Sequence, residues 1–149
     1  MKAFSTIMPA GTYYIGDLCY VMDSEGEWDR VCAEFEKNKW ESGKYKLDGR
    51  VFVSCFTRYG DGSYSDESGS YEFAVDAGLI GCIKIDDIKS DFKEWLNSGY
   101  AEVTFKTDFE VSVDSEGVII FGHIVIPTGD LPYDDEDEDD WDWLSDDDE

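Results

Sequence analysis

Positive charge is scarce: 12 Lys and Arg stand against 36 Asp and Glu in 149 residues, with a single His, and the formal net charge is −24. That shortage disfavours direct binding to a nucleic-acid backbone, where affinity comes from Lys and Arg displacing condensed counterions. It disfavours an anionic membrane leaflet for the same reason. Long apolar runs are missing as well. No stretch approaches the ~20 apolar residues of a membrane helix, and the opening MKAFSTIMPAG has one Lys and no sustained apolar core, unlike a secretory signal. A cytoplasmic protein is expected.

Cysteine is sparse and unpatterned. Cys19, Cys32, Cys55 and Cys82 are widely spaced, with no C-x-x-C, and each sits among apolar residues. That usage reads as small buried thiols in a reducing compartment. Catalytic signatures are lacking too: there is no G-x-S-x-G, Walker loop, Rossmann fingerprint or H-E-x-x-H. The sequence therefore predicts a non-enzymatic protein with no catalytic residues, cofactor or metal.

What the chain does have is acid, and it is unevenly placed. Asp130–Glu149, DLPYDDEDEDDWDWLSDDDE, holds thirteen Asp and Glu and no cation, which leaves −11 on residues 1–129. Carboxylates this dense repel one another and stay hydrated, so the segment reads as a disordered tail behind one domain spanning 1–129. Its candidate partner-binding residues are Asp134, Asp135, Glu136, Asp137, Glu138, Asp139, Asp140, Trp141, Asp142 and Trp143. Rows of carboxylates can imitate phosphates spaced roughly 3.4 Å per base step. The two indoles can anchor in an apolar pocket, as aromatic hot spots do.

Apolar periodicity organises the domain. Thr12–Met22 reads as a strand region broken at Gly16-Asp17. Ser24 and Glu27 have capping-box spacing, and Trp28, Val31, Cys32 and Phe35 then form a helical stripe. Asn38–Gly49 reads as polar connection, and Arg50–Thr57 as a strand. Tyr59–Ser70 reads as an exposed loop or ragged hairpin signalled by Asp61-Gly62. Tyr71–Val75, Leu79–Ile85, Tyr100–Phe105, Phe109–Val113 and Val118–Ile126 read as strands, and Asp87–Ser98 as a second helix ending at Gly99. About seven strands and two helices without regular alternation predict an α+β fold, a curled antiparallel sheet or partial barrel with two helices.

Four further features invite a functional reading. Lys37, Lys39, Lys44, Lys46 and Arg50, with Trp40 and Tyr45 interleaved, form a basic cluster. It suits an ordinary solvated loop, a weak nucleic-acid patch or a landing place for the tail. Asp61, Ser63, Ser65, Glu67 and Glu72 fall at positions 1, 3, 5, 7 and 12 of a calcium-loop window, but Asp66 occupies the position that needs Gly, so a polar hairpin tip is expected. His123 in FGHIVI is placed on a strand by alternation. Asp17, Cys19 and Asp76, set among glycines inside apolar strands, either shape turns or line a pocket with His123.

The segments YIGDLCYV (Tyr14–Val21) and VDAGLIG (Val75–Gly81) resemble a Y-I-G-D-x-C-Y-V…V-D-A-G-x-I-G pattern of small proteins from bacteria and their phages. The resemblance implies a bacterial or phage source and brings no activity. In composition alone, the charge is similar to that of phage DNA-mimic inhibitors. The expected partner is a basic protein surface, such as a nucleic-acid-binding host protein. A small-ligand module and an immunity protein for a basic toxin are the alternatives.

Overall fold

The computed structural model describes residues 3–89 and 99–128. Chain order is β1 (Phe4–Met8), β2 (Gly11–Gly16), α1 (Glu27–Lys37), β3 (Gly43–Leu47), β4 (Arg50–Phe56), β5 (Gly62–Ser65), β6 (Glu72–Val75), β7 (Leu79–Lys84), β8 (Ala101–Phe105), β9 (Phe109–Val113), β10 (Val118–Phe121) and β11 (Ile124–Pro127). Every pairing is antiparallel. One sheet runs β1-β9-β10-β11, a second runs β3-β4-β7-β2-β8, and β5-β6 is a separate hairpin.

Period-two alternation assigns the layers. From the second sheet, Tyr13, Ile15, Val53, Cys55, Ile80, Cys82 and Val103 point one way. They pack with Phe109, Val111, Val113, Ile119, Phe121 and Ile126 of the first sheet, and the hairpin adds Tyr64 and Phe73. The opposite face presents Tyr14, Phe52, Leu79 and Ile83, which α1 covers with Val31 and Phe35. The central strands β4 and β7 are thus buried on both faces. The molecule is sheet on sheet with a helix on the outer side of one sheet.

The α+β class holds in its coarse form, mostly antiparallel sheet with an α-helix. The sheets are open at both ends and do not close into a barrel. Of the expected second helix, Ile85–Asp87 forms a short 3-10 turn and Ile88 is extended; residues 90–98 lie outside the described residues, as does the acidic segment 130–149.

Three local readings are corrected. The polar connection Asn38–Gly49 contains β3, whose hairpin to β4 turns at Asp48-Gly49, with φ of 54° and 81° and Leu47 opposite Arg50. These are the positive angles that an Asp-Gly type I′ turn requires. The run Val118–Ile126 is not one strand but β10 and β11, folded at Gly122-His123 with Phe121 opposite Ile124. His123 therefore sits in an exposed turn, not on a strand. The Ser24–Glu27 capping box does not form. Ser24–Gly26 is a 3-10 turn, Gly26 precedes α1 with φ of 77°, and the Glu27 side chain turns inward. The strand Phe4–Met8 is an addition that the apolar pattern did not signal.

Candidate functional site

Asp17 follows β2, where Gly16-Asp17 ends the strand, and it is fully buried. Its carboxylate accepts from the N–H groups of Cys19 at 3.0 Å, Asp76 at 2.7 Å and Ala77 at 2.6 Å. The Tyr14 hydroxyl donates to the Asp17 carbonyl at 2.7 Å. The Tyr20 hydroxyl donates to the Asp76 carboxylate. The two short motifs thus meet, and Asp17 ties the turn between β6 and β7 to the end of β2. Gly81 completes the junction: a Cβ there would lie 2.3 Å from the Val53 carbonyl oxygen and 2.8 Å from Leu18 Cδ1.

A buried carboxylate surrounded by N–H donors is a scaffold element rather than an open binding group. Of the four residues considered as a pocket, Asp17, Cys19 and Asp76 come together. His123 does not join them. It lines a separate open depression of about 540 Å³ with Asp66, Glu67, Ser68, Ser70, Tyr71, Ile124 and Val125.

The thiols are poor nucleophiles, since the thiolate is the reactive form. Burial, with Asp17 close by, pushes the Cys19 thiol far up. Burial pushes Cys55 up to about 12, and Cys82 is raised by burial and by Cys55. Cys32 is raised by burial and by Asp29.

The calcium-loop window folds as the tip of the β5-β6 hairpin. Asp66, 7% exposed, turns inward and accepts from the Tyr71 N–H at 2.9 Å and the Ser68 hydroxyl at 2.5 Å. Burial alone would raise its pKa, but hydrogen bonds from the Ser68 hydroxyl and from backbone N–H groups outweigh that and hold it below the usual carboxylate range. Among the described residues no group of three or more His, Cys, Asp and Glu is placed to hold a metal.

The basic cluster is dispersed. Lys44 Nζ donates to the Ile7 carbonyl at 2.9 Å, and Lys37 pairs with Glu34 at 3.0 Å. Arg50 is buried: its Nη2 pairs with the fully buried Glu27 carboxylate, and its Nη1 donates to the Asp87 carbonyl at 3.1 Å. Asp48 gathers the neighbouring cations, 2.7 Å from Arg30 and 3.7 Å from Lys89. The Arg30 guanidinium holds the Asp48 carboxyl below its ordinary value. The Glu27–Arg50 pair escaped the sequence reading because Glu27 fitted a capping box and Arg50 a basic run; nothing local distinguishes an inward Glu.

Lys39, Lys46 and Arg58 remain exposed, beside a larger number of exposed carboxylates. Glu25, Asp29 and Glu36 are exposed on or beside α1, Asp61, Glu67 and Glu72 on the β5-β6 hairpin, and Asp108, Glu110 and Glu116 around β9. Asp134–Trp143 lies outside the described residues. Comparison of the chain with protein-family models, with curated proteins and with solved structures finds no match.

Proposed function

We propose that this is a non-enzymatic acidic binding protein, phage or prophage encoded and acting in the bacterial cytoplasm. It occupies the basic surface of a host protein that handles nucleic acid, for instance in defence, as a nucleic-acid decoy. The observation that carries the reading is how charge is partitioned. The chain is −24 overall. Arg30, Lys37, Arg50 and Lys89 are spent on Asp48, Glu34 and Glu27. The field facing a partner is therefore strongly negative, which steers encounter with a cationic surface and repels polynucleotides. Trp141 and Trp143 supply the short-range part of the affinity. An immunity protein for a basic nuclease shares this charge logic and is distinguished by the identity of what is captured.

Capture from bacterial lysate at low and physiological salt tests the reading, with full-length protein beside protein ending at Gly129. Captured host proteins should be basic, retention should fall steeply with salt, and truncation should weaken binding at least about tenfold. Capture that ignores both salt and truncation would sink the proposal.

A small-ligand module is the second reading. Its support is the depression around His123, Glu67 and Tyr71. A ligand present at a hundred times its dissociation constant would stabilise the fold by about 2.7 kcal/mol in a thermal-shift panel of nucleotides and metals.

A further inference from the structure

The two sheets differ in what lies on their outer faces. On the second sheet that face is covered by Val31 and Phe35 of α1. No helix among the described residues covers the first, although β1, β10 and β11 turn Ile7, Val118, Ile120, Val125 and Pro127 outward. A solvated antiparallel face ordinarily alternates to polar residues at such positions. Register lines up Ser5, Ser112, Ile120 and Val125 in one row across the four strands, a breadth of about 14 Å at ~4.8 Å per strand. Ile7 is 55% exposed at one side of the row. A shallow depression of about 370 Å³ is lined by Phe4, Ser5, Ser112, Val118 and Ile120.

Charge is also divided between the sheets. The four strands of the first contain Glu110 and no Lys or Arg, whereas the strands of the second hold Lys44, Lys46, Arg50 and Lys84. Ile7 lies directly opposite Glu110. The turn between β9 and β10 adds the exposed Asp114 and Glu116. At the β11 side stands the exposed Glu67, whose N–H donates to the Val125 carbonyl at 2.8 Å. The face therefore has an apolar centre and an acidic margin. Such a margin repels polynucleotides and a second copy of so anionic a chain. It matches a partner element of opposite charge that carries an apolar stripe of its own.

We infer that the outer face of the first sheet docks a basic amphipathic helix of the partner. The helix lays its apolar stripe on Ile7, Ile120 and Val125, as α1 does on the second sheet, and the Lys or Arg on its flanks face Glu110, Asp114 and Glu116. Dimensions agree: three helical turns are about 16 Å long, close to the breadth of the row. Anchors spaced i, i+3, i+4 and i+7 are how such helices are held. Apolar burial then supplies affinity that salt does not screen, while the carboxylates steer the encounter. This docking rests on the decoy reading for the sign of the partner's charge. It adds to that reading a contact made by the folded domain.

The test is heteronuclear NMR on full-length labelled protein at about 150 mM salt. The probe is a synthetic helix of about 18 Leu and Lys residues with its leucines on one face. An isomer of equal composition, with the leucines scattered around the helix, is the control. The amide signals of Ile7, Ser112, Ile120 and Val125 should shift with the amphipathic peptide, which should bind at least about tenfold tighter than its isomer. The variant Ile7→Thr, Ile120→Thr, Val125→Thr keeps β-branched side chains and should lose that preference, with the Ile15 and Phe52 signals in place. If the triple variant does not fold, Ile7→Thr alone, at the most exposed of the three positions, should reduce the preference. Equal binding of the two isomers, or shifts centred on α1 or confined to residues 130–149, would overturn the inference. Changes at the face driven by protein concentration without peptide would assign it to a second copy and overturn it as well. These outcomes leave the decoy reading intact, whereas salt-insensitive capture from lysate strikes the decoy reading alone.

Discussion

At the scale of single residues, Asp17 and Gly81 explain why the two short motifs look as they do. The carboxylate of Asp17 serves three backbone N–H groups drawn from two separate turns. Asn offers one acceptor oxygen and turns an NH2 against those donors. Asp17→Asn should therefore cost about 3 kcal/mol in urea unfolding, the scale of losing charge-assisted hydrogen bonds in a buried place. A variant as stable as the parent would show that Asp17 is not the staple. Gly81→Ala should cost about 2–3 kcal/mol through overpacking, because the Cβ meets the Val53 carbonyl at 2.3 Å within a paired strand.

Acid stability is also set residue by residue. Asp114 accepts from the N–H groups of Glu116 and Val118, each at 2.9 Å, and these bonds lower its pKa. Asp66 is lowered by its own set. With folded values below the ordinary 3.8 of an Asp carboxyl, both carboxylates contribute stability that is fully present above the unfolded pKa. It is lost as pH falls through the folded values. Denaturation midpoints measured between pH 5 and 2 should drop less steeply for the Asp66→Asn, Asp114→Asn double variant than for the parent, from a lower starting stability.

Among the elements, α1 shows both what patterning predicts and what it misses. Its stripe of Val31 and Phe35 was legible as period 3.6, and it covers the sheet face that the same period predicts. Its two ends were not legible, since each is decided by contacts distant in sequence or by backbone geometry. At the start, Glu27 is drawn inside by Arg50. Removing one partner, as in Arg50→Met, should cost about 3–5 kcal/mol because a charge is left buried, while Glu27→Leu with Arg50→Met should be close to neutral. At the finish, the Lys39 N–H donates to the Glu36 carbonyl at 3.1 Å and the Trp40 N–H to the Phe35 carbonyl at 2.8 Å. The Trp40 and Phe35 rings meet at 5.6 Å. That is a Schellman closure with Lys in the position that favours Gly. Lys39→Gly should raise unfolding free energy by about 1 kcal/mol, measurable in guanidinium, even though it removes a surface cation.

Strands were legible in proportion to how much of them is buried. β4, β7, β8 and β9 place alternating or continuous apolar residues in the core, and their bounds were read to within a residue or so. β3 buries only Tyr45 between the exposed Lys44 and Lys46, as an edge strand protected by lysines does. Tyr45 and Leu47 do alternate with Lys44 and Lys46, but so short and lysine-rich a run reads as polar connection, although Asp48-Gly49 was a usable signal. β10 and β11 merged in the reading because their reversal needs only Gly122, with φ of 61°. The junction of Asp17 with the β6-β7 turn could not be read at all, since it joins residues 59 and 60 positions apart.

For the whole molecule, self-repulsion is the main electrostatic load on the fold. A net charge of −24 on 149 residues works against compaction, and salt screens it. The melting temperature should rise by several degrees between about 10 mM and 300 mM NaCl. The rise should shrink when Asp134–Asp140 are converted to amides. A melting temperature that stays flat or falls with salt would mean that the ion pairs around Asp48 outweigh the surplus acid.

Thr128 gives this surplus a mechanical setting. Its N–H and hydroxyl engage the Gly117 carbonyl, and its oxygen receives the Arg58 N–H. One attachment belongs to the turn entering β10 and the other to the loop leaving β4, so a single threonine clasps both layers of the sandwich. A pull on the carboxy-terminal segment is therefore shared between two sheets instead of peeling β11 from its hairpin.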